Sequence, residues 1–178
     1  WSERHHGYVI HAVSELKDRA PLIILAGDIG TGKTELAETF IDQVARNMRV
    51  NGTLYSLSLA ARGKGVVGEM TTLIDSAFKS VIDETPTVHE NEKVKKISAL
   101  LIDEGDSLAQ SRESMQMHHE DRAGVNALIK GIDRIKRRGI PALVILCTNR
   151  LESIDPAVKR RAAFISILSR PNYEQRKA

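Results

Sequence analysis

The sequence predicts an α/β fold, a five-stranded parallel sheet with helices on both faces. Three observations predict it. Five apolar runs short enough for strands are separated by longer stretches in which apolar residues recur at helical spacing. The first strand-to-helix junction is a glycine-rich loop, Gly27-Asp28-Ile29-Gly30-Thr31-Gly32-Lys33-Thr34, which fits GxxxxGK[ST] at every fixed position. A length of 178 residues suits one domain, able to bury roughly 70% of its unfolded surface in a single core.

The elements follow in order. Residues 1–20 carry Tyr8, Val9, Ile10, Val13 and Leu16, a lead-in helix pattern whose apolar side is suited to close over a bound base. Leu22 to Ala26 is a buried strand, and Thr34 to Met48 a helix with Leu36, Phe40, Ile41 and Val44 on one face. Asn51-Gly52 marks a turn before a second strand, Thr53 to Leu59. Ala60 to Gly68, with Gly63, Gly65, Gly68, Arg62 and Lys64, reads as a basic loop. Met70, Leu73, Ile74, Ala77, Phe78 and Val81 give a helix from Glu69 to Ile82, and Asp83 to Lys96 is a polar excursion broken by Pro86. Ala99 to Ile102 is the third strand and runs into Asp103-Glu104. A stretch rich in Ser, Gln, Met and His precedes a helix lined by Val125, Leu128, Ile129, Ile132 and Ile135 that ends near Gly139. Ala142 to Cys147 and Ala163 to Leu168 are the last two strands.

Composition narrows the function classes. Apolar residues make up 42% and charged residues 28%, ordinary globular usage. No apolar run approaches the roughly 18 residues needed to span a bilayer, and no signal-peptide pattern precedes Leu22, so a soluble cytoplasmic protein with no membrane partner is expected. The single cysteine, Cys147, excludes an internal disulfide and a cysteine-based zinc site, and reads as a buried packing residue. A net charge of +3 is spread among interspersed acids and bases, which favours a solvated mixed surface over a nucleic-acid patch. The chain opens on Trp1 rather than Met, so residues are expected to have preceded it.

The chemistry concentrates at two places. In a loop of the pattern Gly27 to Thr34, glycines let backbone N–H groups turn toward phosphate oxygens while the helix N-terminus adds positive potential. Lys33 adds a cation and the Thr34 hydroxyl can ligate Mg²⁺. A magnesium nucleotide then needs a carboxylate at the end of a neighbouring strand, and Asp103 supplies it. Glu104, beside it, is suited to take a proton from an attacking water. The fourth strand ends in Thr148-Asn149-Arg150, where the Asn149 amide can orient that water. His118-His119-Glu120-Asp121 lacks the H-E-x-x-H spacing of a metal pair and reads as a loop.

Cradle, acidic pair, polar strand end and the run Asp155-Pro156-Ala157-Val158-Lys159-Arg160-Arg161 follow the order of the AAA+ ATPases, which the chain resembles over residues 20–170. Between Leu100 and Lys136 the runs Leu101-Ile102-Asp103-Glu104-Gly105-Asp106-Ser107-Leu108-Ala109, Val125-Asn126-Ala127-Leu128-Ile129 and Ile132-Asp133 are most similar to the pachytene-checkpoint ATPases. Those enzymes remodel HORMA-domain proteins, and bacterial relatives act beside cyclic-oligonucleotide synthases in anti-phage defence.

The resemblance implies a P-loop NTPase large subdomain over residues 21–170 that uses ATP and Mg²⁺ in a homohexameric ring acting on a protein client. It implies Asn149 as the sensor and Arg161, with Arg160 as the fallback, as the arginine finger that completes a neighbour's site. The sequence stops before the helical lid that the family implies, as expected of the large subdomain alone or of a chain whose remainder is absent, and residues 171–178 read as the start of a connection to that lid. Where relatives carry a pore-loop aromatic, this chain has Gly63-Lys64-Gly65-Val66-Val67-Gly68. Val66 and Lys64 are substitute grips, or the segment is a plain glycine-rich loop. Two other readings stay open. One is a clamp-loader or initiator ATPase touching nucleic acid through Lys64, Lys136, Arg137 and Arg138; the other is a nucleotide-gated scaffold with little turnover.

Overall fold

A computed structural model describes residues 20–58, 69–88, 92–107 and 119–170. The lead-in segment 1–19, the basic loop around Val66 and Lys64, His118 and the connection 171–178 lie outside the described residues. The elements are β1 (Leu22–Gly27), α1 (Lys33–Met48), β2 (Asn51–Ser58), α2 (Glu69–Glu84), β3 (Lys96–Asp103), α3 (His119–Arg138), β4 (Ala142–Thr148), α4 (Pro156–Lys159) and β5 (Phe164–Leu168). Short 3-10 turns, Gly105–Ser107 and Leu151–Ser153, follow β3 and β4. All four strand pairings are parallel and the order is β2-β3-β4-β1-β5, which is the predicted five-stranded sheet.

Side-chain alternation along the strands builds a core on each face of this sheet. Leu22, Ile24, Leu100, Ile102, Val144 and Leu146 meet Ile74, Phe78 and Val81 of α2 and Val125, Leu128, Ile132 and Ile135 of α3. On the opposite face Leu25, Ala99, Leu101, Ile145 and Cys147 meet Ala37, Ile41 and Ala45 of α1. Helices therefore cover both faces, α2 and α3 on one and α1 on the other.

Three predicted details are corrected. The buried stripe of α1 is Lys33, Ala37, Ile41 and Ala45, whereas Leu36 and Phe40 are 43% and 37% exposed. Small side chains let this helix lie close to the sheet, and Leu36 and Phe40 are displaced to its flank. There they line an apolar groove of about 170 Å³ with Ile23, Ile145 and Phe164. Asn51 and Gly52 are not a turn but the start of β2, paired with Lys96 and Ile97. The reversal is taken earlier by Arg49, at φ 55. Finally, Thr85 is buried within the stretch expected to be a polar excursion, its hydroxyl donating to the Val81 carbonyl at 2.6 Å and lying 2.7 Å from the Ser98 hydroxyl. The chain is thus pinned to β3 immediately after α2.

Phe78 is fully buried at the crossing of α2 and α3, where Gly131 leaves the space that its ring fills. Phe78→Ala should cost about 3–5 kcal/mol of stability, read as a lowered denaturant midpoint with an unchanged slope; a midpoint within error of the parent protein contradicts this packing.

Candidate functional site

Parallel pairing brings the carboxyl ends of β1, β3 and β4 to one edge of the sheet, and every predicted site residue except Arg161 lies on or next to these ends. Register places Ala26 beside Thr148 and Ile102 beside Leu146. The loop after β1 therefore faces the polar residues that follow β3 and β4.

The cradle is shaped by its glycines. Gly30 and Gly32 adopt φ 80 and φ 83, a left-handed backbone that costs other residues strain. A Cβ on Gly27 would land on the Leu168 carbonyl of β5. Thr31 ties the turn through its hydroxyl to the Asp28 carbonyl at 2.9 Å. Gly32 caps α1 with no side-chain hydrogen bond, so the first N–H groups of a 16-residue helix are directed at the loop without a side-chain acceptor.

Lys33 is only 7% exposed, and its ammonium donates to the carbonyls of Gly27 and Asp28, both at 2.8 Å. An ammonium has three donors, so this brace is compatible with a further bond to a phosphate oxygen.

The acids meet the cradle directly. The Thr34 hydroxyl donates to Asp103 Oδ2 at 2.8 Å, across 69 residues of chain. Asp103 Oδ1 accepts the Glu104 N–H at 2.8 Å. A hydroxyl and a carboxylate in contact are hard oxygen donors, and Mg²⁺ is commonly held by such a minimal protein set with phosphates and waters completing the shell. The residues present fit that ion. Glu104 is exposed and sits at φ 55, a left-handed conformation that is rare for its side chain. Behind the cradle, burial pushes the Cys147 thiol up to about 12, with Asp103 raising it further and Lys33 opposing. It is a packing group, as its place on β4 suggested.

Asn149 lines a cavity of about 590 Å³ with Gly27, Asp28, Leu151 and Lys159. Its partner went unassigned in the sequence. Asp106, on the 3-10 turn after Glu104, accepts the Asn149 backbone N–H at 3.1 and 3.2 Å, its side-chain Nδ2 at 3.2 Å and the Arg150 N–H at 3.2 Å. Asp106 also accepts the hydroxyl of buried Thr148. The available signal was an acid three residues beyond Asp103, just past the strand end.

Arg161 is the one predicted residue whose hydrogen bonds go elsewhere. Asp155 caps α4 by accepting the Ala157 N–H at 2.7 Å, Pro156 starts the helix, and the chain after it delivers Arg161 to Asp133 of α3. The guanidinium donates from Nε at 3.0 Å and Nη2 at 3.1 Å to the two Asp133 oxygens, and from Nη1 at 3.0 Å to the Ala157 carbonyl. The Asp133 hydrogen bonds raise its pKa further. Three of five N–H donors are used and the side chain is partly exposed, so the fork is held in place with donors remaining. Arg160, the alternative, is the exposed C-cap of α4.

Comparison with known proteins agrees with this geometry. The family described as "ATPase family associated with various cellular activities (AAA)" matches residues 23–170. The chain belongs to the AAA ATPases. This AAA chain is 56% identical over 177 residues to CD-NTase-associated protein 6 of Escherichia coli strain MS 115-1, a match covering 99% of the chain and 57% of that relative. Its structure aligns at TM-score 0.83 and 55% identity with a chain of an E. coli MS115-1 HORMA:CdnC:Trip13 complex, covering 99% of this chain and 57% of that one. Pachytene checkpoint protein 2 of Saccharomyces cerevisiae is 28% identical over 167 residues, which covers 86% of this chain and 29% of the yeast protein. The pachytene-checkpoint resemblance thus holds, and the chain spans a little over half the length of its bacterial relatives. No helix among the described residues is long and apolar enough to cross a membrane.

Lys33→Ala removes both the brace and the cation. A charge-assisted hydrogen bond is worth about 1.5–3 kcal/mol, so ATP affinity measured by calorimetry should fall about ten- to a hundredfold; unchanged affinity would place the triphosphate elsewhere.

Proposed function

We propose that this chain is the nucleotide-hydrolysing part of a Mg²⁺- and ATP-dependent ring that remodels a HORMA-domain protein. The observation that carries the hydrolytic reading is the Thr34–Asp103 hydrogen bond, which joins the phosphate cradle to the strand that bears the acidic pair. The HORMA partner is supported by the similarity to a chain of the HORMA:CdnC:Trip13 complex. A place in anti-phage defence rests on the same relatives.

In this mechanism the backbone donors of Gly27 to Thr34 and the α1 N-terminus bind the triphosphate, and Lys33 neutralises charge on its terminal phosphates. Thr34 and Asp103 would hold Mg²⁺, which supplies Lewis-acid stabilisation of the charge that builds on the phosphate oxygens. Glu104 takes the proton of the attacking water, and Asn149 orients that water. Arg161, presented by Asp133, reaches the nucleotide of an adjacent subunit in a homohexamer, where a finger of this kind contributes about 10³–10⁵ in rate. The exposed Lys136, Arg137 and Arg138 lie at the C-terminus of α3, where they complement the helix dipole, and this leaves the nucleic-acid reading without a specific observation in its favour among the described residues.

The decisive experiment uses the full-length protein. Glu104→Gln should lower turnover by about 10²–10⁴ while retaining ATP affinity, and should hold a HORMA-domain partner in a pulldown performed in ATP. Full turnover in this variant removes Glu104 as the base, and equal capture with and without ATP removes the remodelling reading. A separate test addresses Arg161. Inactive Arg161→Ala subunits mixed with inactive Glu104→Gln subunits should regain part of the ATPase rate, because each lacks a different half of a shared site. If mixtures stay as inactive as their components, the finger does not act between subunits.

A further inference from the structure

We propose that Asp106 is a positioning residue that fixes the Asn149 amide with its nitrogen turned to Asp106 and its Oδ1 left for the cavity that Asn149 lines with Gly27 and Asp28 of the phosphate loop, so that Asn149 acts as a hydrogen-bond acceptor. This rests on the reading of Asn149 as the residue that orients the attacking water. An ionised carboxylate can only accept hydrogen bonds, so the amide beside it must present its NH₂ group. Asn149 Nδ2 does so at 3.2 Å, and the backbone N–H groups of Asn149 and Arg150 bind the same carboxylate. The Thr148 hydroxyl completes the set. Four groups from three consecutive residues at the end of β4 thus converge on one side chain, leaving Asn149 little freedom to rotate its amide. The cavity that Asn149 shares with Gly27 and Asp28 then faces an acceptor rather than a donor.

This orientation has a chemical consequence. A water that gives one hydrogen to Asn149 Oδ1 and the other to the Glu104 carboxylate has both hydrogens directed at acceptors, which turns a lone pair toward the γ-phosphorus. As the water oxygen–phosphorus bond forms, the proton passes to Glu104. The bond between the γ-phosphorus and the β–γ bridging oxygen breaks, its electron pair leaving with ADP. A donor amide at the same place would instead grip a γ-phosphate oxygen and leave the water with one fixed hydrogen. Asp106 lies two residues after Glu104, so one short stretch carries both the base and the carboxylate that holds the amide, and Asp106 braces that stretch to the end of β4.

The test measures kcat, KM for ATP and MgADP affinity in the full-length protein for Asp106→Ala, Asp106→Asn, Asn149→Ala and the double variant Asp106→Ala/Asn149→Ala. Asp106→Asn is nearly isosteric and carries the test should Asp106→Ala fail to fold. It has its own NH₂ to offer and so permits the Asn149 amide to flip. A misplaced water costs up to about a hundredfold, so each single variant should lose about ten- to a hundredfold in kcat, with KM and MgADP affinity within about twofold of the parent. The double variant should be no slower than Asn149→Ala alone, which a merely structural contribution of Asp106 would not give. If Asn149→Ala is slow while both Asp106 variants turn over normally, or if the two losses multiply, the positioning role is wrong and the reading of Asn149 stands. If Asn149→Ala itself hydrolyses ATP at the parent rate, both fall together.

Discussion

The hydrogen bond between the Thr34 hydroxyl and Asp103 ties the first turn of α1 to the end of β3, and the rest of the site is arranged about it. It is possible because the strands are parallel. Each connection must return to the starting edge, so the carboxyl ends of β1, β3 and β4 collect on one side while the crossovers supply helices to both faces. Placing β1 between β4 and β5 then sets the phosphate loop beside the polar end of β4. A Cβ at Gly27 would close the same approach from the β5 side.

Around that contact, charge is confined to the rim while the interior stays apolar. Among the described residues Lys33 and Asp155 are the exceptions, and the Lys33 cation is satisfied by two cradle carbonyls rather than by a carboxylate. The arrangement keeps Asp103 free to share its oxygens between Thr34 and the Glu104 N–H. Left-handed backbone at Gly30, Gly32 and Glu104 belongs to the loop or the acidic turn, whereas Arg49 and Gly139 adopt it where helices end. Local strain of about 1–3 kcal/mol at a residue such as Glu104 is sustainable only because β3 and the turn after it are held by the packed sheet.

Two aspartates give the site its reach beyond the cradle. Asp106 joins the turn after β3 to the end of β4, and Asp133 holds Arg161 on the outside of α3. Asp106 takes backbone N–H groups as well as side chains, and Asp133 takes two donors of one guanidinium. Such multidentate carboxylates convert a loose loop into a defined surface, the condition for Arg161 to be offered to a neighbouring subunit as the proposed ring requires.

Much of this was legible in the sequence because it is encoded locally. The GxxxxGK[ST] spacing between an apolar run and a helical pattern identifies the cradle, and an apolar run ending in Asp103-Glu104 identifies the acidic strand, since strand ends and helix starts are written in neighbouring residues. What the tertiary structure decided are the choices among equivalent apolar or acidic residues. Periodicity marks Leu36 and Phe40 as apolar but does not tell which flank of α1 meets a sheet approached closely through Ala37 and Ala45. Asn51-Gly52 has turn chemistry, yet pairing with β3 made it strand. The place of Asp106 just past a strand end is its one local mark and Asp133 has none, because their partners lie 42 to 44 and 28 residues away and meet them only when the sheet and helices pack. The chemistry of the cradle is a property of the sequence; the partners that orient it belong to the fold, since long-range contacts follow from strand order and helix packing, and no short stretch of residues specifies either.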